Sequence, residues 1–252
     1  EIHKKYLEAG TDIIETNTFN GNSISQNDYL MEDEVYNINY QSAKIAKNLC
    51  IEYTEKNPNK PRFVAGAVGP TNKTLSLSPD VDNPMFRSIT WDELVISYKE
   101  QINALIDGGI DIILIETIFD TLNAKAAIYA TYEILTHKNL DLPIFISGTI
   151  TDASGRTLSG QLTEAFYVSI FHCNPFCVGL NCALGADILL PYIKRLSNIA
   201  SCYVHAYPNA GLPNTMGEYD ETPIVMSQKI SEYIQGRHVN IIGGCCGTTP
   251  EH

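Results

Sequence analysis

Long hydrophobic runs are missing from this 252-residue sequence, although 44% of its residues are hydrophobic. A membrane-spanning helix needs about 20 mostly apolar residues in succession, so the sequence predicts no membrane segment. The sequence also shows no basic, apolar leader: Glu1 opens a polar segment typical of a helix. We therefore expect a cytoplasmic protein that has no membrane partner.

Positive charge is scarce as well. Lys and Arg number 17 against 29 Asp and Glu, and the formal net charge is −12. A surface of this sign repels a phosphate backbone, so the sequence argues against nucleic acid as a partner. Disulfides are not indicated either, because seven cysteines in a chain of this length do not resemble a disulfide framework. In a reducing compartment, clustered cysteines more often bind a metal or take part in chemistry.

Short, nearly continuous apolar runs alternate with amphipathic segments along the chain. The runs predict parallel strands buried on both faces, and the segments predict the crossover helices that parallel strands require. The predicted strands are Asp12–Thr18, Phe63–Gly69, Asp111–Thr117, Pro143–Ile150, Cys177–Ala183, Cys202–Asn209 and Asn240–Gly247. The predicted helices are Tyr36–Tyr53, Trp91–Asp107 with Thr90 as N-cap, Leu122–His137, Ala186–Ser197 and Thr222–Gln235.

This alternation predicts an α/β fold, specifically a (β/α)8 TIM barrel that forms a single domain over residues 1–252. Such a barrel closes with eight strands, and the sequence supplies seven. We therefore expect a barrel that is truncated at both ends, with the first strand and the last helix missing. The segment Glu1–Gly10 would be the tail of a helix leading into the next strand. Active sites of these barrels lie at the carboxyl ends of the strands.

Three cysteines fall at such strand ends. Cys245 and Cys246 lie in the sequence Gly-Gly-Cys-Cys-Gly, where glycines let the backbone leave the regular pleat so that both thiols can reach one ion. Cys182 ends an earlier predicted strand. Three thiolates suit Zn²⁺ and leave one tetrahedral position open, as in catalytic zinc sites. Spacing alone leaves two alternatives: Cys182 as a small core residue, and the adjacent pair as incidental or as a strained disulfide.

Carboxylates inside apolar strands are the next candidates, because an unpaired buried charge is costly. Glu116 lies near the end of a predicted strand, where it could receive a substrate amine or form a structural salt bridge. Glu15 poses the same question. Since side chains alternate along a strand, Glu15 and Thr16 should point to opposite faces.

Seven stretches of the sequence resemble the homocysteine S-methyltransferase family, most closely the N-terminal domain of its cobalamin-dependent methionine synthases. The resemblance covers nearly the whole chain. The stretches are Gly10–Asn20, Val64–Asn72, Leu114–Ala127, Ile146–Gln161, Val178–Gly185, Pro208–Asn214 and Gly243–Pro250.

The resemblance implies a methyltransferase that activates homocysteine for methyl transfer from methylcobalamin, forming methionine. It implies Cys182, Cys245 and Cys246 as the ligands of a catalytic Zn²⁺. Glu116 and Thr16 would bind the substrate, and Asn209 would lie near the zinc and fill the open position when substrate is absent. The methylcobalamin would be supplied by a cobalamin-binding domain, which with a folate-binding domain would be a partner in the same enzyme.

One family feature is absent: the Asp-Gly-Ala segment of the first strand, which helps to bind homocysteine. Two further functions are open at this point. The chain could be a stand-alone methyltransferase that uses betaine or S-methylmethionine. It could instead be a zinc-binding or redox protein built on a barrel, in which protein groups fill all metal positions or the cysteines are oxidised.

Overall fold

The computed structural model of the chain describes residues 1–151 and 154–252. Asp152 and Ala153 belong to the Ile146–Gln161 stretch that carries part of the family resemblance, and they lie outside the described residues. No helix within the described ranges is long and apolar enough to cross a membrane.

The seven predicted strands are all present in the structure. They are β1 (Ile13–Glu15), β2 (Phe63–Val68), β3 (Ile112–Ile118), β4 (Ile144–Gly148), β5 (Cys177–Gly185), β6 (Tyr203–Asn209) and β7 (Ile241–Ile242). Their order in the sheet follows their order in the chain. The pairings β1–β2, β2–β3, β4–β5, β5–β6 and β6–β7 are parallel. The predicted α/β class with a parallel sheet is thus confirmed.

Helices separate the strands as predicted. They are α1 (Ile2–Ala9), α2 (Ser23–Gln26), α3 (Val35–Lys56), α4 (Trp91–Asp107), α5 (Thr121–Lys138), α6 (Thr163–Ile170), α7 (Ala186–Ile199) and α8 (Pro223–Gln235). Thr90 is the N-cap of α4, as predicted, and forms a reciprocal capping box with Glu93. The sequence analysis did not predict α2 and α6.

Close contacts divide the chain into two compact units, Glu1–Ile115 with Leu122–Ile144, and Glu116–Thr121 with Phe145–His252. In the first unit, α3 and α4 pack against β2. Val64, Ile102 and Leu105 are fully buried there. A side chain at Gly66 would collide with Ile110, so the glycine permits close packing of this layer. The first unit therefore has its own apolar core.

The second unit contains β4 to β7 together with α6, α7 and α8. Phe166 of α6 packs directly over Gly148 of β4, and both Phe166 and Ile193 of α7 are fully buried. On β5, Gly179 lies under the ring of His205, leaving no room for a Cβ atom. These contacts fix β5 and β6, whose carboxyl ends carry Cys182 and Asn209.

Candidate metal and substrate site

Strand β5 loses its regular geometry where the first candidate ligand lies. Its residues pair in register with β6 up to Asn181, and the register then shifts before Gly185 pairs with Asn209. Within this bulge, Cys182 and Ala183 both adopt left-handed backbone angles, with φ of 63° and 59°. Such angles cost non-glycine residues about 1–3 kcal/mol each, and they cluster at functional sites. The bulge turns Cys182 away from the regular pleat.

The Cys245–Cys246 turn is held by the end of β6. The Cys245 amide donates to the Pro208 carbonyl at 2.8 Å, and the Ala210 amide donates to the Cys246 carbonyl at 2.9 Å. Gly247 follows with a φ of 79°, a left-handed angle that glycine tolerates. The adjacent cysteines therefore sit in a defined turn beside β6, as the flanking glycines predicted.

The three candidate cysteines converge. The Cys182 Sγ lies 3.5 Å from the Cys246 Sγ, and the Cys245 Sγ lies 4.0 Å from the Cys246 Sγ. All three sulfur atoms lie within 4.8 Å of one another. Zn–S bonds of about 2.3 Å in a tetrahedron place neighbouring sulfurs about 3.8 Å apart. The observed spacing therefore fits three thiolate ligands around one zinc ion.

The protonation of the cluster supports the same interpretation. A hydrogen bond from the Cys245 thiol lowers the pKa of Cys182 to about 5. The reverse effect, together with burial, raises the pKa of Cys245, and burial raises that of Cys246. When three thiols lie this close, hydrogen bonds from two of them favour deprotonation of the third. Repulsion between the charges then opposes a second deprotonation. Full deprotonation of the cluster therefore calls for a cation among the sulfurs.

Asn209 lies beside the cluster, as the family resemblance implies. It ends β6 and is fully buried. Its Oδ1 accepts a hydrogen bond from the Cys246 amide at 3.1 Å, and its side chain also hydrogen bonds to Cys182. The side chain thus links the two cysteines that come from distant parts of the sequence.

Two residues around the cluster escaped the sequence analysis. Asn181 is fully buried, and its Nδ2 lies 3.9 Å from the Cys245 Sγ. Tyr219 packs against Gly247 and hydrogen bonds to the Cys246 sulfur. Burial and that hydrogen bond raise the pKa of the Tyr219 hydroxyl. Asn181 directly precedes Cys182 within the matching stretch Val178–Gly185, and that position was the available signal. Tyr219 lies outside all seven stretches, so only the fold reveals its place beside Cys246.

Glu116 belongs to the second unit, as the cysteines do, and is buried near the end of β3. The next residue, Thr117, has a left-handed φ of 54° and bonds to Asn181 through its amide and its hydroxyl. Glu116 is therefore adjacent in the sequence to Thr117, which hydrogen bonds to Asn181. Asn181 in turn contacts Cys245. The substrate role of Glu116 stays a prediction.

Thr16 belongs to the first unit and is buried, whereas Glu15 is exposed, as strand alternation predicts. The Thr16 Oγ1 accepts a hydrogen bond from the Ala67 amide at 3.0 Å and lies 2.6 Å from the Thr18 Oγ1. Since the Thr18 hydroxyl donates to the Ala67 carbonyl, Thr16 must be the donor in that pair. Its hydroxyl proton is thus committed within the unit, and its predicted role in substrate binding stays untested.

The remaining cysteines behave as packing residues. Cys50, Cys173 and Cys177 are buried, and burial raises the pKa of Cys50 to about 11 and that of Cys173 to about 12. Burial also raises the pKa of Cys177 and of the half-buried Cys202. Such thiols are poor nucleophiles and poor metal ligands.

Comparison with known proteins agrees with this arrangement. The sequence model of the family described as homocysteine S-methyltransferase matches residues 1–252. The metallated form of the homocysteine methyltransferase MmuM from Escherichia coli has a TM-score of 0.74 at 20% identity, covering 99% of this chain and 80% of that chain. Its oxidized form has a TM-score of 0.75 at 19% identity, with the same coverage.

The fold extends to a protein with a different activity. The 6-hydroxypseudooxynicotine amine oxidase from Pseudomonas geniculata N1 has a TM-score of 0.62 at 10% identity, covering 97% of this chain and 41% of that chain. At such identities a structural match establishes the shared fold alone. The family match and the cysteine geometry therefore carry the functional argument.

Proposed function

Because the chain belongs to the homocysteine S-methyltransferase family, we propose that it binds a catalytic Zn²⁺ through Cys182, Cys245 and Cys246 and activates homocysteine for methyl transfer, forming methionine. The observation that carries this proposal is the approach of three thiol sulfurs to within 4.8 Å of one another. A structural zinc site takes four protein ligands, whereas three leave a position for a substrate atom.

The charge of the site suits transfer of an alkyl group to sulfur. Zn²⁺, when bound, supplies a positive centre that deprotonates a substrate thiol near neutral pH, where a free thiol with a pKa of about 8.5 is mostly protonated. Three cysteine thiolates and a substrate thiolate around a dication give a net charge of about −2. That excess negative charge keeps the substrate sulfur nucleophilic.

The protein groups have separate tasks in this proposal. The three cysteines hold the metal, and the half-buried and exposed positions of their side chains leave them accessible to a ligand. The buried Glu116 carboxylate would receive the substrate ammonium group. Asn209, hydrogen bonded to Cys246 and Cys182, would orient those two ligands and take the open position before substrate arrives. Thr16 would contact the substrate only if its present bonds rearrange.

For the methyl donor we propose methylcobalamin, held by another domain of a methionine synthase that also has a folate-binding domain. The long matching stretches Leu114–Ala127 and Ile146–Gln161 support this assignment. In the same proposal, the seven parallel strands are most of a (β/α)8 barrel within one domain. An eighth strand would be supplied from outside residues 1–252.

A second candidate is a stand-alone enzyme that takes its methyl group from S-methylmethionine or betaine. The observation in its favour is the likeness to the MmuM homocysteine methyltransferase, of which only a fifth lies outside the match. A homocysteine methyltransferase chain can thus be little longer than this one. The donor therefore has to be tested directly.

The metal site is tested by zinc X-ray absorption on the purified protein, before and after addition of homocysteine. We expect one zinc per chain, and a change from three sulfur neighbours with one lighter atom to four sulfur neighbours. A site that already has four sulfur neighbours, or that keeps its sulfur count when homocysteine is added, would rule out the catalytic role and favour a structural or redox protein.

The donor is tested by supplying the zinc-loaded protein with homocysteine and one donor at a time. Methionine formed from free methylcobalamin but not from S-methylmethionine or betaine supports the methionine synthase assignment. Methionine formed from either of the latter two supports the stand-alone enzyme and would replace the first assignment.

A further inference from the structure

One buried amide connects the metal site to the candidate substrate site. Asn181 is 1% exposed, and its four hydrogen-bonding positions are all used by neighbours in the second unit. Its Oδ1 accepts from the Ser147 hydroxyl at 2.6 Å and from the Thr117 amide at 3.1 Å. Its Nδ2 donates to the Thr117 hydroxyl at 2.8 Å and to the Cys245 Sγ at 3.9 Å.

The orientation of this amide is fixed by its surroundings. The Thr117 backbone amide can only donate, so it requires the oxygen of Asn181 on its side. A 180° rotation of the side-chain amide would exchange Oδ1 and Nδ2. It would place an NH₂ group against the Thr117 amide and an oxygen against the Cys245 sulfur. The nitrogen of Asn181 is thus directed at Cys245 by the network itself.

The neighbours of Asn181 are the residues that need accurate placement. Thr117 directly follows Glu116 and has a left-handed backbone that must be held in place. Cys182 directly follows Asn181 and begins the left-handed pair of residues in the β5 bulge. One side chain therefore contacts or adjoins the ends of β3 and β5 and the turn after β7.

We propose that Asn181 is a positioning residue that fixes the Cys245 sulfur relative to the Glu116–Thr117 segment. The zinc site and Glu116 can then bind the thiol and the ammonium group of one homocysteine molecule at the same time. Its N–H donor also withdraws charge from the Cys245 sulfur, as hydrogen-bonded partners of metal ligands do. The inference rests on the proposed function and assigns to it a residue outside the ligand set.

The test compares substitutions of Asn181 with the same substitutions of Asn39. Asn39 is equally buried and makes two hydrogen bonds, to the Gly21 and Val35 carbonyls, but it belongs to the first unit. Three quantities are measured for each variant: the zinc dissociation constant by chelator competition, the homocysteine dissociation constant by calorimetry, and the free energy of unfolding in urea.

For Asn181→Ala we expect zinc and homocysteine to bind about 10- to 100-fold more weakly, the range found when partners of metal ligands are removed. Asn39→Ala should lower the stability while leaving both dissociation constants unchanged. Asn181→Asp keeps both acceptor bonds of Oδ1 but turns an acceptor toward Cys245, so we expect homocysteine to bind about 10-fold more weakly. Asn39→Asp should not have this effect.

The outcomes separate the two proposals. If the unsubstituted protein binds neither zinc nor homocysteine, the proposed function is wrong and this inference fails with it. If it binds both, and the Asn181 variants bind them as tightly as the Asn39 variants do, the positioning role alone is overturned. Should Asn181→Ala fail to fold, Asn181→Asp decides the question, since it preserves the bonds to Ser147 and Thr117.

Discussion

The two halves of strand β5 differ in backbone geometry and in the pKa of the cysteine that each half contains. From Cys177 to Leu180 the strand is regular, fully buried and in register with both neighbours. From Asn181 to Gly185 the register shifts, Cys182 and Ala183 take left-handed angles, and the strand carries a polar side chain at Asn181 and a thiol at Cys182. Each half holds a cysteine, and burial raises the pKa of Cys177 while the thiol cluster lowers that of Cys182. The same residue type thus serves packing in one half and, in our proposal, metal binding in the other.

The difference between the two halves of β5 is tested most directly by substituting one cysteine in each half. Cys182→Ala and the equivalent Cys246→Ala should bind zinc at least about 100-fold more weakly, because a zinc site worth ~10–16 kcal/mol loses one of its three cysteine ligands. Cys177→Ala should keep one zinc per chain and lose only about 1 kcal/mol of unfolding free energy, the value of a small buried group. Metal content after dialysis and urea unfolding measure the two effects.

The comparison fails if Cys177→Ala loses its zinc while remaining folded, or if Cys246→Ala retains one zinc per chain and normal methyl transfer. The first result would extend the metal site into the regular half of β5. The second would remove Cys246 from the proposed ligand set.

A second, smaller effect is expected at Glu116, on the neighbouring candidate substrate site. Glu116→Gln should weaken homocysteine binding by roughly 10- to 100-fold, because a hydrogen bond to a charged group contributes about 1.5–3 kcal/mol. Zinc should remain bound, since the carboxylate is not among the sulfur ligands. Calorimetry measures homocysteine binding, and metal analysis of the same sample measures the zinc content, so the two effects of the substitution are separated.

The matched control is Glu164→Gln. Glu164 lies in the same unit and forms a two-point ion pair with Arg195 on the surface, at 2.7 Å for both contacts. Its substitution should leave homocysteine binding unchanged. An unchanged dissociation constant for Glu116→Gln as well would withdraw the assignment of that carboxylate to the substrate ammonium.

The contrast within β5 also shows which features of the structure could be predicted from the sequence. All seven strands were predictable because apolar runs between helical segments are long-range patterns that survive local irregularity. The last strand was predicted over Asn240–Gly247, but β7 ends at Ile242. The flanking glycines predicted only that the backbone leaves the regular pleat near the cysteine pair. The left-handed angles at Cys182 and Ala183 were not, because neither residue is a glycine and nothing nearby marks the bulge.

Residues whose role depends on distant neighbours were also beyond the sequence. Asn181 has an ordinary place in an apolar strand, and only the fold brings Thr117 and Ser147 to its amide. Helix α6 was missed because eight residues offer few helical repeats, and loops flank it. The hydrogen bond from the Thr16 hydroxyl to Thr18 was likewise not predictable, because it depends on the Ala67 carbonyl that accepts the proton of Thr18. The substrate role of Thr16 stays a prediction.

The smallest expected effect concerns the regular half of β5, where stability rather than chemistry should respond to pH. His205 covers Gly179, is fully buried, and neither ring nitrogen has a hydrogen-bond partner among the described residues. Burial lowers the pKa of His205 to about 3. An unfolded chain, with a histidine pKa of about 6.5, therefore binds a proton below that pH while the folded protein does not. The contribution of His205 to the stability should therefore be constant well above pH 6.5 and should fall below it, with a slope that approaches about 1.4 kcal/mol per pH unit until the folded pKa of about 3 is reached.

His205→Phe removes this titration and keeps an aromatic ring against Phe145 and Tyr207, which contact the histidine edge-on. In urea unfolding, the unsubstituted protein should lose about 1 kcal/mol more unfolding free energy than the variant between pH 6.5 and 5.5. His172→Phe, at an exposed site in the same unit, should leave the pH dependence unchanged. If His205→Phe also leaves it unchanged, the ring is protonated inside the fold, and β6 holds a buried charge against Gly179 that the packing gives no reason to expect.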